Sequence, residues 1–472
     1  MMLTIQTKKA RVRRLLFFLA CFFLLTAFIY QQISNKQDTL SLLQQGEPAV
    51  TRYEELDGAY KTYGLYDQAD HLLNYGVIAS ASGYGGPITM LTVVDQEGTI
   101  ANAVLIEDSE TPLYLKKVLE EGYPEIFQGK TVTQLLSTYE DIDGVSGATR
   151  TADGIMLAVE KGMFQVGMNQ LGLTVPTLKV FYVQWQDGLL VFLMLFVILA
   201  AARNMKKFRP WILVAAVLVL GFMENTSLTI GNYMSILALK MPAFFERPIW
   251  YVMVIGVLII TLLWGRNFYC SWLCPFGAVQ EGAYKALNLA NYHPNPKLIS
   301  GARKSRWFFL WMAAMLALLF NNPGIASYEP FSVFFDGDGN TSQWIMMLLI
   351  LLFSIFVLRF WCRYFCPVGA FLDFIATCKR TAQKLCRRKL GSDNSVPEKE
   401  EIQLGRQGFM AEEMVKLNGR FEGVAEPACA ACSGCQREKE ISRLSSGDKL
   451  VAGAIILIGM LIMGALLQSI GL

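Results

Sequence analysis

Long apolar stretches alternate with polar ones along this chain. The first, Leu15 to Tyr30, follows Lys8, Lys9, Arg11, Arg13 and Arg14, and others occupy about 188–202, 211–223, 249–265, 307–320, 343–361 and 450–470. A bilayer core of about 30 Å needs roughly 20 apolar residues as helix. Each run is therefore read as a span, the shorter ones tilted or extended into their flanks. The first reads as an uncleaved anchor rather than a signal peptide, because no small-residue cleavage pattern follows Tyr30 and the run continues well past Cys21. The stretch 226–246 is fairly apolar but interrupted by Asn232, Lys240 and Pro242, and reads as an outer loop or re-entrant piece.

Residues 32–186 contain no spanning run and read as a folded soluble domain. Gly83–Tyr84–Gly85–Gly86–Pro87 is a turn signal. Ile88 to Val94 is strand-like, and Gly98 separates it from a second such run, Ile100 to Ile106. Beyond Gly154 the spacing of Ile155, Ala158 and Val159 is helical. The expected fold is a polytopic α-helical membrane protein of about seven spans with an extracytoplasmic α+β domain. Its parts are an anchor (1–31), the outer domain (32–186), a membrane bundle (187–390), a cytoplasmic cysteine-containing segment (391–448) and a last span (449–472).

Composition supports the membrane reading: 53% of residues are apolar and the mean hydropathy is +0.36. The net charge of +3 conceals a division, because 20 acidic and only 9 basic residues lie between Lys36 and Lys179. With a cytoplasmic N-terminus the inner loops are 203–210, 266–306 and 362–449. The first holds Arg203, Lys206, Lys207 and Arg209, and the third holds Arg387, Arg388 and Lys389. The outer loop 321–342 has no Lys or Arg, and 224–248 has only Lys240 and Arg247. This is the positive-inside bias of a bacterial cytoplasmic membrane protein. The basic excess needs no nucleic acid to explain it.

Cysteine is unevenly used. Apart from Cys21, all of the 10 cysteines lie between Cys270 and Cys435, on the side predicted to be cytoplasmic, where metal ligation is favoured over disulfides. Gly265–Arg266–Asn267–Phe268–Tyr269–Cys270–Ser271–Trp272–Leu273–Cys274–Pro275–Phe276–Gly277–Ala278 ends one span. Arg359–Phe360–Trp361–Cys362–Arg363–Tyr364–Phe365–Cys366–Pro367–Val368–Gly369–Ala370 ends another. A repeated unit with pseudo-two-fold symmetry is expected. The i, i+4 spacing puts each thiol pair on one helix face, with Pro275 and Pro367 breaking the helix and turning the chain along the membrane surface. Four thiolates from two repeats suit one iron–sulfur centre. A closed zinc site is the rival, and buried packing cysteines are the bland alternative. The flanking aromatics Phe268, Tyr269, Trp272, Trp361, Tyr364 and Phe365 suit an electron relay or, as is commoner, an interfacial belt, and no site is assigned to them.

A further group, Cys429, Cys432 and Cys435, resembles the opening of a bacterial ferredoxin run, but Lys439 and Glu440 stand where Cys-Pro would follow. A standard two-cluster ferredoxin is excluded. Cys386, within basic Lys384–Arg388, is favoured over Cys378 as a remote fourth ligand, and zinc or no metal remains open for this tail.

Asp143–Gly144–Val145–Ser146–Gly147–Ala148–Thr149 precedes the helical segment of the outer domain. Alone it is a capped helix start, though glycines beside a helix N-terminus also present N–H groups to phosphate. With Gly83–Ile88 and Glu110–Thr111–Pro112 in the same order, it resembles the FMN-binding domain of the sodium-pumping NADH:quinone reductase and Rnf complexes and of NosR/NirI-type proteins. The resemblance implies FMN esterified through its phosphate to Thr149 by a dedicated flavin transferase, with Asp143, Gly144, Ser146, Gly147, Ala148, Glu110 and Thr111 around it. The paired membrane motifs resemble NosR/NirI proteins and NapH-type quinol-linked ferredoxins, which implies 4Fe-4S clusters.

The chain has 2 histidines, His71 and His293, on opposite predicted sides, so a membrane haem with paired His ligands has no residues to use. No Walker-type phosphate loop is present. The resulting expectation is electron transfer between a cytoplasmic ferredoxin-like or quinol donor and an extracytoplasmic acceptor protein, through clusters and FMN. A redox sensor or maturation factor is the alternative. With clusters at the inner surface and flavin outside, nearly the full ~30 Å of hydrocarbon would separate them.

Overall fold

The computed structural model describes residues 2–34, 38–139, 142, 144–178, 185–203, 205–287, 295–389 and 445–469. A first helix, α1 (Met2–Ser34), leads through α2 (Thr39–Gly46) into a five-stranded sheet of β1 (Arg52–Leu56), β2 (Lys61–Tyr66), β3 (Leu72–Ser82), β4 (Pro87–Val94) and β5 (Ile100–Asp108). The strands form an antiparallel meander in chain order, with Ala79 opposite Met90 and Leu91 opposite Val104. Gly83–Gly86 closes the β3–β4 hairpin, with Gly83 N–H donating to the Gly86 carbonyl at 2.8 Å. After α3 (Pro112–Glu120), α4 (Thr149–Asn169) crosses β3 and β4. Ala152, Ile155, Ala158, Val159 and Met163 of α4 are buried against the sheet. The helix approaches closely because it carries glycine at the contact: a Cβ on Gly154 would lie 2.8 Å from Gly83 Cα.

Each apolar run of the sequence is helical. They are α1, α5 (Trp185–Ala202), α6 (Arg209–Ala216, continued as a π-helix to Met223), α8 (Pro248–Trp264), α12 (Ser305–Leu319), α14 (Thr341–Phe356) and α17 (Ser446–Ser469). Segments of α1, α5 and α17 are long and apolar enough to cross a membrane, and α8 and α14 are shorter apolar helices. Large apolar side chains stand exposed on them, among them Phe18, Phe192, Leu348 and Ile456. Water disfavours such faces and lipid accepts them, so this is a membrane protein. Between α6 and α8 lies α7 (Ile230–Leu237), with Ile230, Tyr233 and Met234 buried.

The cysteine motifs do not continue the spans as expected. Gly265 takes a left-handed φ of 65° after α8, and Arg359 takes 52° after α14. The chain then turns into two short helices, α9 (Phe268–Trp272) and α15 (Phe360–Tyr364). Cys270 and Cys274 thus do not share a helix, nor do Cys362 and Cys366, because the helix ends between them. Pro275 and Pro367 open new helices, α10 (Pro275–Leu287) and α16 (Pro367–Lys389), where the missing N–H costs nothing. Between these lie α11 (Pro296–Ala302), ahead of α12, and α13 (Phe331–Phe335), ahead of α14. The aromatic belt is also corrected: Phe268, Tyr269, Trp272, Trp361, Tyr364 and Phe365 are all buried in the bundle core.

The helix after the first motif, α10, packs on α14, while the helix after the second, α16, packs on α8 and α12. Each repeat is thereby covered by its counterpart, as the pseudo-two-fold expectation requires.

The sheet domain rests on the bundle through polar contacts. Lys161 pairs with Glu246, both nearly fully buried, and Glu246 also accepts from Ser82 N–H at 2.7 Å. Lys240 pairs with Glu107 at 2.7 Å, and Asn322 donates to Asp108 at 2.8 Å. Breaking a buried pair from one side costs about 3–5 kcal/mol, so these contacts hold the domain in one place.

Candidate flavin and cluster sites

Thr149 is the first residue of α4, a 21-residue helix. It lines a cavity of about 260 Å³ together with Gly147, Ala148, Arg150, Tyr84 and Tyr114 from the sheet domain and Phe222, Glu224, Asn225 and Asp336 from the bundle. Thr149 Oγ1 donates to Val145 O at 3.3 Å, and the residue is otherwise exposed. Gly147 has a φ of 77°, and a Cβ there would lie 2.6 Å from Lys117 Nζ and collide with Asp338. A helix N-terminus, a hydroxyl, Arg150 and nearby Lys117 are the donor set that a phosphate needs, so these residues fit an FMN phosphate at Thr149.

Glu110 plays another part. It is fully buried, and its carboxylate accepts from Gly85 N–H at 3.0 Å and from Thr151 Oγ1 at 3.2 Å. Burial pushes its pKa up to about 7 against these hydrogen bonds. Glu110 therefore ties the glycine turn to α4 and does not line the cavity, while Thr111 lines its smaller neighbour. Gly144 and Ser146 do not line either cavity, and Asp143 lies outside the described residues.

The four membrane cysteines converge. A Cβ on Gly277 would meet Cys274 Sγ at 3.5 Å and Cys362 Sγ at 3.8 Å, and one on Gly369 would meet Cys366 Sγ at 3.6 Å and Cys270 Sγ at 3.9 Å. Each Cys-Pro-x-Gly glycine thus touches its own cysteine and one from the other repeat. Among the described residues no three Cys, His, Asp or Glu side chains gather around a single ion. A tetrahedral zinc site would bring its sulfurs within about 3.8 Å of one another, whereas a four-iron cluster spreads them over its corners. Gly277 N–H donates to Cys274 Sγ at 3.4 Å, Gly369 N–H to Cys366 Sγ at 3.3 Å, and Gln280 Nε2 to Cys362 Sγ at 3.6 Å. Such N–H···S bonds are how proteins set a cluster's potential.

The surroundings were not legible in the motifs. Glu281 accepts both terminal nitrogens of Arg209 at 2.8 Å and also binds Arg359 at 2.6 Å. Arg359 Nη1 reaches Cys270 O at 2.6 Å, and Arg209 Nε reaches Ser271 O at 3.2 Å. The network clamps the backbone of the first cysteine pair. Its counterpart across the pseudo-axis is Asn267 Nδ2 on Asp373 at 3.1 Å, because Asn267 and Arg359 occupy equivalent repeat positions, as do Glu281 and Asp373. The only sequence signal was charge inside apolar context. Cys429, Cys432 and Cys435 lie outside the described residues, Cys386 falls where α16 has no described side chain, and Cys378 is exposed.

Contacts inside the bundle link the first membrane cysteine pair to the cavity at Thr149. A second cavity of about 60 Å³ shares Tyr84, Arg150 and Asn225 with the first and extends to Leu228, Arg247, Trp250 and Met253. Leu228 N–H donates to Tyr269 Oη at 3.0 Å, and Tyr269 precedes Cys270.

An FMN-binding domain family model matches residues 83–163, and a 4Fe-4S binding domain model matches 246–291 and 342–392. The Paracoccus denitrificans protein NirI is 28% identical over 37% of this chain and 27% of its own length. The Stutzerimonas stutzeri regulatory protein NosR is 25% identical over 35% of this chain and 25% of its own. A Methylobacillus flagellatus methylamine utilization ferredoxin-type protein, MauN, is 32% identical over 25% of this chain and 43% of its own. The matched region spans about a quarter of the length of NirI and NosR. Together these findings make the chain similar to FMN-binding and 4Fe-4S domains and to segments of NirI, NosR and MauN, which supports a redox role.

Proposed function

We propose that the chain is a one-electron conduit across the bacterial cytoplasmic membrane. FMN, esterified to Thr149 by a flavin transferase, stands outside, and a 4Fe-4S cluster on Cys270, Cys274, Cys362 and Cys366 stands within the bundle. A quinol or a cytoplasmic ferredoxin-like protein donates, an extracytoplasmic redox protein accepts, and the tail cysteines hold a further centre. The flavin supplies the redox chemistry, while the protein sets its position and potential. The observation that carries this reading is the short connection from Thr149 to Cys270, through two cavities with a common wall and the Leu228–Tyr269 hydrogen bond.

The test uses the purified full-length protein carrying both cofactors. After complete reduction it is mixed with ferricyanide while flavin absorbance and the cluster signal are followed. The two should reoxidise together, and the cluster of a flavin-free Thr149→Ala protein should reoxidise far more slowly. Equal cluster reoxidation in both proteins overturns the conduit. A flavin state that changes partner binding without turnover would instead favour the sensor reading.

The orientation rests on the Lys/Arg asymmetry of the loops. Ala59 is exposed on the sheet domain, so an Ala59→Cys protein should react with an impermeant thiol reagent in intact spheroplasts. Labelling only after lysis would reverse the orientation.

A further inference from the structure

Arg247 stands immediately before α8 and belongs to the bundle, yet it lines the smaller cavity beside Tyr84 and Arg150 of the sheet domain. Its Nη1 donates to the carbonyl oxygens of Gly83 and Tyr84, the latter at 2.9 Å. Arginine has five N–H donors in a rigid fork, and among the described residues Nε and Nη2 make no hydrogen bond. Burial, and then the neighbouring Arg150, push its pKa down to about 10, which leaves it charged at neutral pH.

Glu110 and Asp187 attract Arg247, but the carboxylates around the cavities make their hydrogen bonds to other groups. Glu224 pairs with Arg150 at 2.9 Å. Asp336 accepts from Tyr114 at 2.9 Å and from Asn225. Glu110 accepts from Gly85 and Thr151. Two guanidinium groups on one cavity wall repel each other, and a half-buried cation with unspent donors is stabilised further where negative charge comes opposite it.

We propose that Arg247 is part of the flavin site, placed to stabilise the negative charge that the ring anchored at Thr149 takes up when it is reduced. This rests on the reading of Thr149 as the attachment point. The electron comes from the cysteine-bound cluster, which is oxidised as the flavin is reduced. Because Arg247 belongs to the bundle, the flavin site is composite, and the sheet domain gains its full electron affinity only when docked. Arg247 acts as a positioning and charge-bearing residue, distinct from the covalent anchor.

A structural clamp on Gly83 and Tyr84 is the competing role, and charge separates the two. Arg247→Gln keeps an amide donor for those carbonyls but removes the positive charge, whereas Arg247→Lys keeps the charge. The midpoint potential of the flavin is measured by spectroelectrochemistry on full-length protein, with in-gel fluorescence to confirm covalent flavin. The expected result is a more negative midpoint for Arg247→Gln, a near-wild-type value for Arg247→Lys, and a fluorescent band in both. A wild-type midpoint in Arg247→Gln overturns the proposal, as do equal shifts in the two variants, which would trace the effect to docking alone. Absence of the band from the wild-type protein would instead refute the Thr149 attachment.

Discussion

Serine in place of Cys274 should abolish the membrane cluster outright rather than weaken it, and serine in place of Cys362 should remove the same signal. The two residues come from different repeats, but their sulfurs both lie against Gly277. A four-iron cluster takes one thiolate at each corner, and the site offers no nearby replacement among the described residues. His71 is on the sheet domain, and Cys378 is exposed on α16. The loss should extend to structure. The Cys270 and Ser271 carbonyls are held by Arg359 and Arg209, and those arginines depend on Glu281. With the cluster gone, a positively charged buried frame loses the anionic centre it encloses, a change worth several kcal/mol in a low-dielectric interior. Iron and sulfide analysis with low-temperature electron paramagnetic resonance reads the outcome, and Cys378→Ser serves as the control that keeps the signal. Independent, partial losses from the two repeats, or zinc in place of iron, would mean that the four cysteines do not share a centre.

The sequence was most legible where periodicity and punctuation agreed. The Gly83–Pro87 turn, the strands beginning at Pro87 and Ile100, and α4 all follow from local patterns that the tertiary structure reinforces. The apolar runs likewise became helices. Misreadings clustered around the cysteines, for a physical reason. A hydrophobic run ending in Cys-Pro looks like a span leaving the membrane, and nothing local says that the chain turns there. The turn depends on left-handed backbone at Gly265 and Arg359, and the second is a residue type rarely found there. Past the turn, aromatics that would suit an interface become core, and the cysteine pair divides between the end of one helix and the start of the next. The cavity at Thr149 was legible only in half. Its Thr149 side is a contiguous motif, but Phe222, Glu224, Asn225 and Asp336 arrive from far along the chain, and no local pattern marks residues that meet only on docking.

The second large effect concerns Thr149. Alanine at this position should take covalent flavin from one per chain to none, while the protein folds and inserts as before. The structural cost is small because the Thr149 side chain is exposed and makes one hydrogen bond, to Val145 O at 3.3 Å. Losing such a bond at a solvent-facing position costs about 1 kcal/mol or less. The start of α4 survives it, since Ala148 O still accepts from Thr151 and Ala152 N–H at 3.0 Å. The chemical cost is total, because a phosphoester needs a hydroxyl oxygen and alanine has none. Thr151, the other threonine lining the cavity, is fully buried and donates to Glu110, so it cannot take over without dismantling the glycine turn. The measurement is in-gel fluorescence of denatured protein made in a host with the flavin transferase, paired with a thermal melt of the same preparation. A Thr149→Ser protein keeps a hydroxyl at the helix start and should retain at least part of the band. An undiminished fluorescent band in Thr149→Ala would place the attachment elsewhere. A collapsed melt would mean that Thr149 supports the domain in a way its single hydrogen bond does not explain.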